Sequence, residues 1–323
     1  MSSLADLIAD RRKLRRKVSL WRVLGIVGAI VGVLGLGYAL GGRQALPSGG
    51  DQIARVKIEG FISGDERTLR LITAVRQAKN VKAVIVQVDS PGGTVSGSEA
   101  IYLALRQLAA EKPVAAVVTG LAASGGYIAA AAADRIIAQQ TSLVGSIGVL
   151  FQLPNVSRLL DTVGVNVETI KSSPLKAAPS GFEPTSPEAK AALEQVVKDH
   201  YDWFKGLVRE RRKLNDSEVA NVADGRVHTG RQGVERKLVD SLGGERQAVE
   251  WLESERNVAK ALPVREWRRR NEADRFGLWS ASSRLAAAAG FDSFATVLAR
   301  ASLIEPGIRL DGALALWQPA FEK

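Results

Sequence analysis

Residues 23–42 read VLGIVGAIVGVLGLGYALGG, twenty residues without a charge, and no other stretch so narrows what the chain can become. At about 1.5 Å rise per residue, a helix of this length matches a hydrocarbon core of about 30 Å. Its five glycines, Gly25, Gly28, Gly32, Gly35 and Gly37, are poor for a helix in water. They are tolerated in lipid, where leaving the helix would strand backbone N–H and C=O groups. The run lacks the polar stripe of a buried soluble helix, and it exceeds the roughly 7–15 apolar residues of a cleaved signal peptide. Trp21 and Tyr38 sit near its ends, where aromatic belts form. A single transmembrane helix over 23–42 is therefore expected. Seven cations between Arg11 and Arg22 precede it against only Asp6 and Asp10, so half of the net +10 lies there. The positive-inside rule then makes 1–22 a basic cytoplasmic segment and places everything after about residue 42 outside the cytoplasm. With the charge so assigned, nucleic acid is not an expected partner and membrane lipid is.

Residues 43–52, with Pro47, Ser48, Gly49 and Gly50, read as a linker. Beyond it, short apolar runs alternate with helical stretches, the pattern of a βαβ layered α/β fold. Strands are expected at 53–58, 84–88, 114–118, 135–138 and 165–170, and helices at 66–78, 97–110, 125–133, 186–214, 216–223, 230–237 and 244–254. The folded domain is placed at 53–260. The tail 261–323, with Arg265, Arg268, Arg269, Arg270, Trp267 and Trp279, reads as an appended helical extension.

The chain has no cysteine and two histidines, which excludes thiol chemistry and leaves little for a zinc site. No phosphate-cradling loop is present, so no cofactor is expected. Two glycine-rich segments follow apolar strands. Asp89-Ser90-Pro91-Gly92-Gly93 is either a tight turn or a place where bare backbone N–H groups meet an oxyanion. Ser124, in Ala123-Ser124-Gly125-Gly126-Tyr127, opens an Ala-rich helix as either its N-cap or a nucleophile beside the Gly125 N–H. Ala122 breaks the G-x-S-x-G elbow of α/β-hydrolases. Neither His200 nor His228 has an obvious acid partner. Lysine is the remaining base, since desolvation lowers an ammonium pKa enough for a neutral amine to take a serine proton. Lys171 and Lys176 both lie in a Pro- and Ala-rich stretch with few carboxylates.

Taken in order, DSPGG, ASGGYIAA, TSLVGSIGV, LKAAPSGFEPTSP and ADGRVHTGRQG resemble the signal peptide peptidase A family of membrane-bound serine proteases. The resemblance runs from about residue 53 to 244 and, by length, is to the short form. It implies a ClpP/crotonase-like fold with Ser124 as nucleophile and Lys176 as general base. It further implies Gly93 and Gly125 as oxyanion hole, and Ser146 as the residue orienting the lysine. Lys171 is the alternative base if the loop aligns differently, and Leu175 departs from the aromatic or His associated with the family at that position. The resemblance also implies a homo-oligomeric ring in which one subunit's serine uses its neighbour's lysine. The chain would then be a single-pass protein of the inner (cytoplasmic) membrane with a periplasmic catalytic domain. Its substrates would be remnant signal peptides and other apolar or unfolded segments. Two other readings remain at this stage: a crotonase-fold enzyme acting on acyl-CoA, and a ring scaffold without catalysis.

Overall fold

The computed structural model describes residues 50–268 and 314–316. The expected membrane helix at 23–42 and most of the tail lie outside them. Among the described residues no helix is long and apolar enough to cross a membrane.

One mixed sheet organises the domain. Its strands are β1 (Gln52–Ile62), β2 (Val81–Thr94), β3 (Val114–Ala123), β4 (Arg135–Ala138), β5 (Leu143–Gly145), β6 (Val227–Thr229), β7 (Ser241–Leu242), β8 (Val264–Trp267) and β9 (Leu314–Leu316). The spatial order is β6-β5-β3-β2-β1-β8, with β4 on β3 and β7, and β9 on β2. The central pairs β1–β2 and β2–β3 are parallel. The central strands are near-continuous apolar runs because both faces of the sheet are covered. Val84, Val86, Ala116 and Val118 face one cluster while Ile85, Ala115 and Val117 face the other.

The first cluster receives α1 (Glu66–Gln77), α2 (Val95–Glu111), α3 (Gly125–Ala131) and the end of α5 (Pro187–Arg212), through Ile72, Leu105, Ile128 and Phe204. The second receives α8 (Glu245–Glu255) through Ala248, Trp251 and Leu252. Three further short helices complete the described part: α4 (Ser157–Thr162), α6 (Asp216–Val222) and α7 (Gly230–Glu235). Local chemistry sets the boundaries. The Asp65 carboxylate accepts from the Thr68 N–H at the start of α1, and the Ser186 hydroxyl accepts from Ala189 N–H ahead of Pro187 at the start of α5.

α3 positions everything that follows. All seven of its residues are buried, and a seven-residue helix is too short to be stable alone. Its carboxyl end is held by two arginines from other helices. Arg106 donates to Ala132 O at 2.8 Å, and Arg211 donates to Ala131 O and Ala133 O at 2.9 Å each. Tyr127 OH donates to Leu238 O at 2.9 Å.

The structure corrects two expectations. The alternating segment 165–170 forms no strand, since no strand of the chain offers it a ladder; its Val165, Val167 and Ile170 are exposed. The segment assigned to a helical extension contains two strands instead. Val264–Trp267 joins the sheet in parallel with β1, as its alternating, partly aromatic sequence permits, and Leu314–Leu316 pairs with β2. The DSPGG motif is likewise the continuation of β2 rather than a turn closing it.

Candidate active site

Ser124 follows β3 directly and precedes α3 at the carboxyl ends of the parallel strands, the edge of such a sheet where ligands bind. Its backbone is at φ 53°, ψ −117°, and its residue surface is 1% exposed. A non-glycine residue holds such a conformation only when its surroundings impose it. Here they do: Ser124 N–H donates to Gly145 O at 2.8 Å, and Ser124 O accepts from Tyr127 N–H and Ile128 N–H at 2.9 and 3.0 Å. Ser124 makes no side-chain capping bond. The expected N-cap role is thus replaced by backbone bonds, and the hydroxyl is left uncommitted. The Gly125 N–H opens α3, where helical donors lack partners within the helix.

The DSPGG strand passes beside this turn. Ser90, wholly buried, donates its hydroxyl to Gly60 O at 2.6 Å and accepts from Gly92 N–H at 3.1 Å, fixing the bend of β2. A methyl at Gly93 would fall on the carbonyl oxygen of Ile62. One at Gly126 would lie 2.5 Å from Ser90 O. The two glycines let β1, β2 and α3 approach to backbone contact, so the Gly93 and Gly125 segments converge on Ser124.

Ser146 lies one residue past β5, with φ 50°, 8% exposed, and its N–H donates to Arg226 O at 2.8 Å. The antiparallel β5–β6 pair, Gly145 opposite Val227, carries both this bond and the Gly145 carbonyl that receives Ser124. Sequence reasoning missed the tie, since strands of three residues carry no readable periodicity.

The two candidate lysines separate. Lys171 is ion-paired with Glu183. Lys176 is exposed on the arm that joins β5 to α5 and, among the described residues, its ammonium has no hydrogen-bond or ion-pair partner. Neither lysine makes a contact with Ser124 or Ser146 within the chain. The arm is apolar and open: Leu159 and Val163 are exposed, Ile170 is 96% exposed, and α4 buries none of its residues. A cavity of about 860 Å³ lies at its base, lined by Leu150, Phe151, Leu193, Val197 and Tyr201 among others. Apolar surface on this scale marks an interaction site.

His228 plays no direct part. It is 4% exposed on β6 opposite Val144, and its Nε2 has no partner. Burial first, then the Arg236 charge, pushes its pKa below the usual value; Asp224 acts the other way and Arg226 adds to the lowering. The ring is therefore neutral in the fold, whereas the unfolded chain takes up a proton near pH 6.5. Its contribution is intact above that pH and is lost as pH falls below it toward the folded value. His228→Phe should therefore show a smaller drop in melting temperature between pH 7.5 and 5.5 than the wild type, measured by thermal denaturation at both values.

Among the described residues no group of three or more His, Asp or Glu residues is arranged to hold a metal ion. A family model described as peptidase family S49 matches residues 106–259, and one described as Clp protease matches residues 65–144. Ser124, Ser146 and Lys176 fall within the first match, Gly93 within the second. The chain is 38% identical over 202 residues to the "Putative protease slr0021" of Synechocystis sp., covering 62% of this chain and 73% of that one. It is 33% identical over 227 residues to the "Serine protease SPPA, chloroplastic" of Arabidopsis thaliana, covering 66% and 34%. It is 36% identical over 209 residues to "Protease 4" of Salmonella typhi, covering 64% and 32%. The chain thus spans about a third of these last two.

Proposed function

The chain belongs to peptidase family S49 and is a serine protease; from that premise we propose that Ser124 is its nucleophile and Lys176 of a neighbouring subunit its general base. The observation that carries this reading is the buried Ser124, held at φ 53° with an uncommitted hydroxyl at the start of α3, beside Gly93. The same chain leaves Lys176 exposed and unpartnered on an apolar arm. A serine without a base and a lysine without a partner are reconciled when the arm of one copy covers the site of the next.

In this mechanism the Ser124 Oγ attacks the scissile carbonyl and its proton passes to the neutral Lys176 amine. The Gly93 and Gly125 N–H groups receive the oxyanion. The lysine ammonium then protonates the departing amine, and water, deprotonated by the same lysine, hydrolyses the acyl-enzyme. Ser146 holds the incoming amine in line. Lys171, engaged with Glu183, is the weaker candidate. The apolar arm covers the lysine and favours its neutral form.

The same reading divides the chain into a cytoplasmic segment 1–22, a membrane helix 23–42, a linker, a peptidase domain 53–260 and a tail, with the domain outside the cytoplasm. Substrates are apolar or unfolded peptide segments near the membrane, remnant signal peptides among them. An acylating serine reagent should label Ser124 in the assembled wild type, read by peptide mass spectrometry, and label it poorly in Lys176→Ala. Labelling at another serine, or none at pH 8–9, would overturn the assignment.

A further inference from the structure

An extended peptide reaching Ser124 must lie along the free edge of β2. That edge is defined on both sides. β1 covers one flank of the glycine segment, with Phe61 opposite Gly92 and Ile62 opposite Gly93. On the other flank, β3 pairs with β2 only as far as Ser90 opposite Ala122, two residues before Ser124. Past that point the carboxyl end of β2 has room for one further strand beside the serine. The chain fills it with its own β9: Leu316 opposite Gly92, Ala315 opposite Gly93 and Leu314 opposite Thr94, antiparallel. Forty-five residues separate Leu314 from Arg268 in sequence.

We propose that β9 stands in the place of the substrate strand, so that the tail of this chain is a built-in competitor for its own active site. The inference rests on reading Ser124 as nucleophile and Gly93 as oxyanion donor. Strand addition at a sheet edge uses backbone hydrogen bonds and is tolerant of sequence, so one edge accommodates both tail and substrate. The occupant is Leu-Ala-Leu, apolar with a small residue in register with Gly93, which is the chemistry expected of the substrate. A three-residue ladder is short enough to be displaced, while tethering keeps its local concentration high. The tail therefore sets a threshold: peptides that pair weakly are excluded, and long apolar extended segments displace it. The S49 family match ends at residue 259, so the device belongs to this chain's own extension.

The test compares the full-length wild type with Ala315→Pro and Ala315→Ser. Proline removes a ladder donor and fixes φ, whereas serine leaves backbone pairing available. With the edge occupied most of the time, Ala315→Pro should lower KM for an apolar reporter peptide about three- to tenfold with kcat unchanged. Ala315→Ser should resemble the wild type. A synthetic peptide of residues 310–320 should inhibit Ala315→Pro competitively. Binding of that peptide, fluorescently labelled, is also measured on Ser124→Ala with and without Ala315→Pro, which needs no turnover. Tighter binding with proline supports the proposal even if every variant is inert, an outcome that would count against Ser124 chemistry alone. Equal binding with and without proline, or equal KM in all active variants, overturns it.

Discussion

Co-expressed Ser124→Ala and Lys176→Ala chains, each inert alone, should together recover peptidase activity. Either substitution should cost about 10³-fold or more, because nucleophile and base act as one unit. The mixture separates the two ways of building the site. If serine and lysine came from one chain, every chain in the mixture would lack one of them and nothing would return. If each site lies between neighbours, random assembly at equal amounts makes about one interface in four intact, and about a quarter of wild-type activity returns. The measurement is hydrolysis of an apolar fluorogenic peptide by co-purified, differently tagged chains. Full loss in the mixture, with assembly intact by light scattering, would place the base within the chain that carries the serine.

The second large effect belongs to Gly93. A methyl there falls on the Ile62 carbonyl, which is rigid backbone at the centre of the parallel β1–β2 pair. The strands must part or β2 must rotate its peptide plane, and in either case the oxyanion donor moves. Removing one such donor costs about 10²–10³ in kcat. Gly93→Ala is expected to lose at least that, with a lowered melting temperature as the mark of displaced strands. Gly206→Ala serves as the control. Gly206 lies within α5 and has nothing within 4 Å of an added methyl, so alanine there should raise stability by about 0.5–1 kcal/mol and leave kcat alone.

These effects concern residues that were legible in the sequence to very different degrees. The central strands were plain, since burial on both faces leaves an unbroken apolar run such as Val84–Val88, and Ser186-Pro187 announced the start of α5. Ser124 was legible as a residue at a helix start. Its positive φ was not, because that conformation is imposed by the carbonyl of Gly145, a residue 21 positions later in a strand of three. The segment 165–170 misled for a physical reason. Its alternation encodes an apolar face, but the chain itself does not cover that face, so the pattern of a strand appears without a ladder. Val264–Trp267 was passed over because the arginines around it suggested a solvated helix. At the edge of a sheet, however, an alternating strand keeps its charged residues in water: Arg265 is exposed there, and Glu266 pairs with Arg55 and Lys57. Lys176 could be singled out only through resemblance, as spacing alone left it level with Lys171.

The two guanidinium groups on the carboxyl end of α3 bear on how variation in this chain should be read. Arg106 and Arg211 are separated from Ser124 by 18 and 87 positions, touch neither the hydroxyl nor the glycine strand, and belong to different helices. Yet the carbonyls they grip close the one short helix whose opposite end aims the serine. A selection that scored only catalytic output would place these two arginines beside the nucleophile. A map of sensitivity drawn along the chain would therefore trace the axis of a buried helix, end to end, rather than the outline of a pocket.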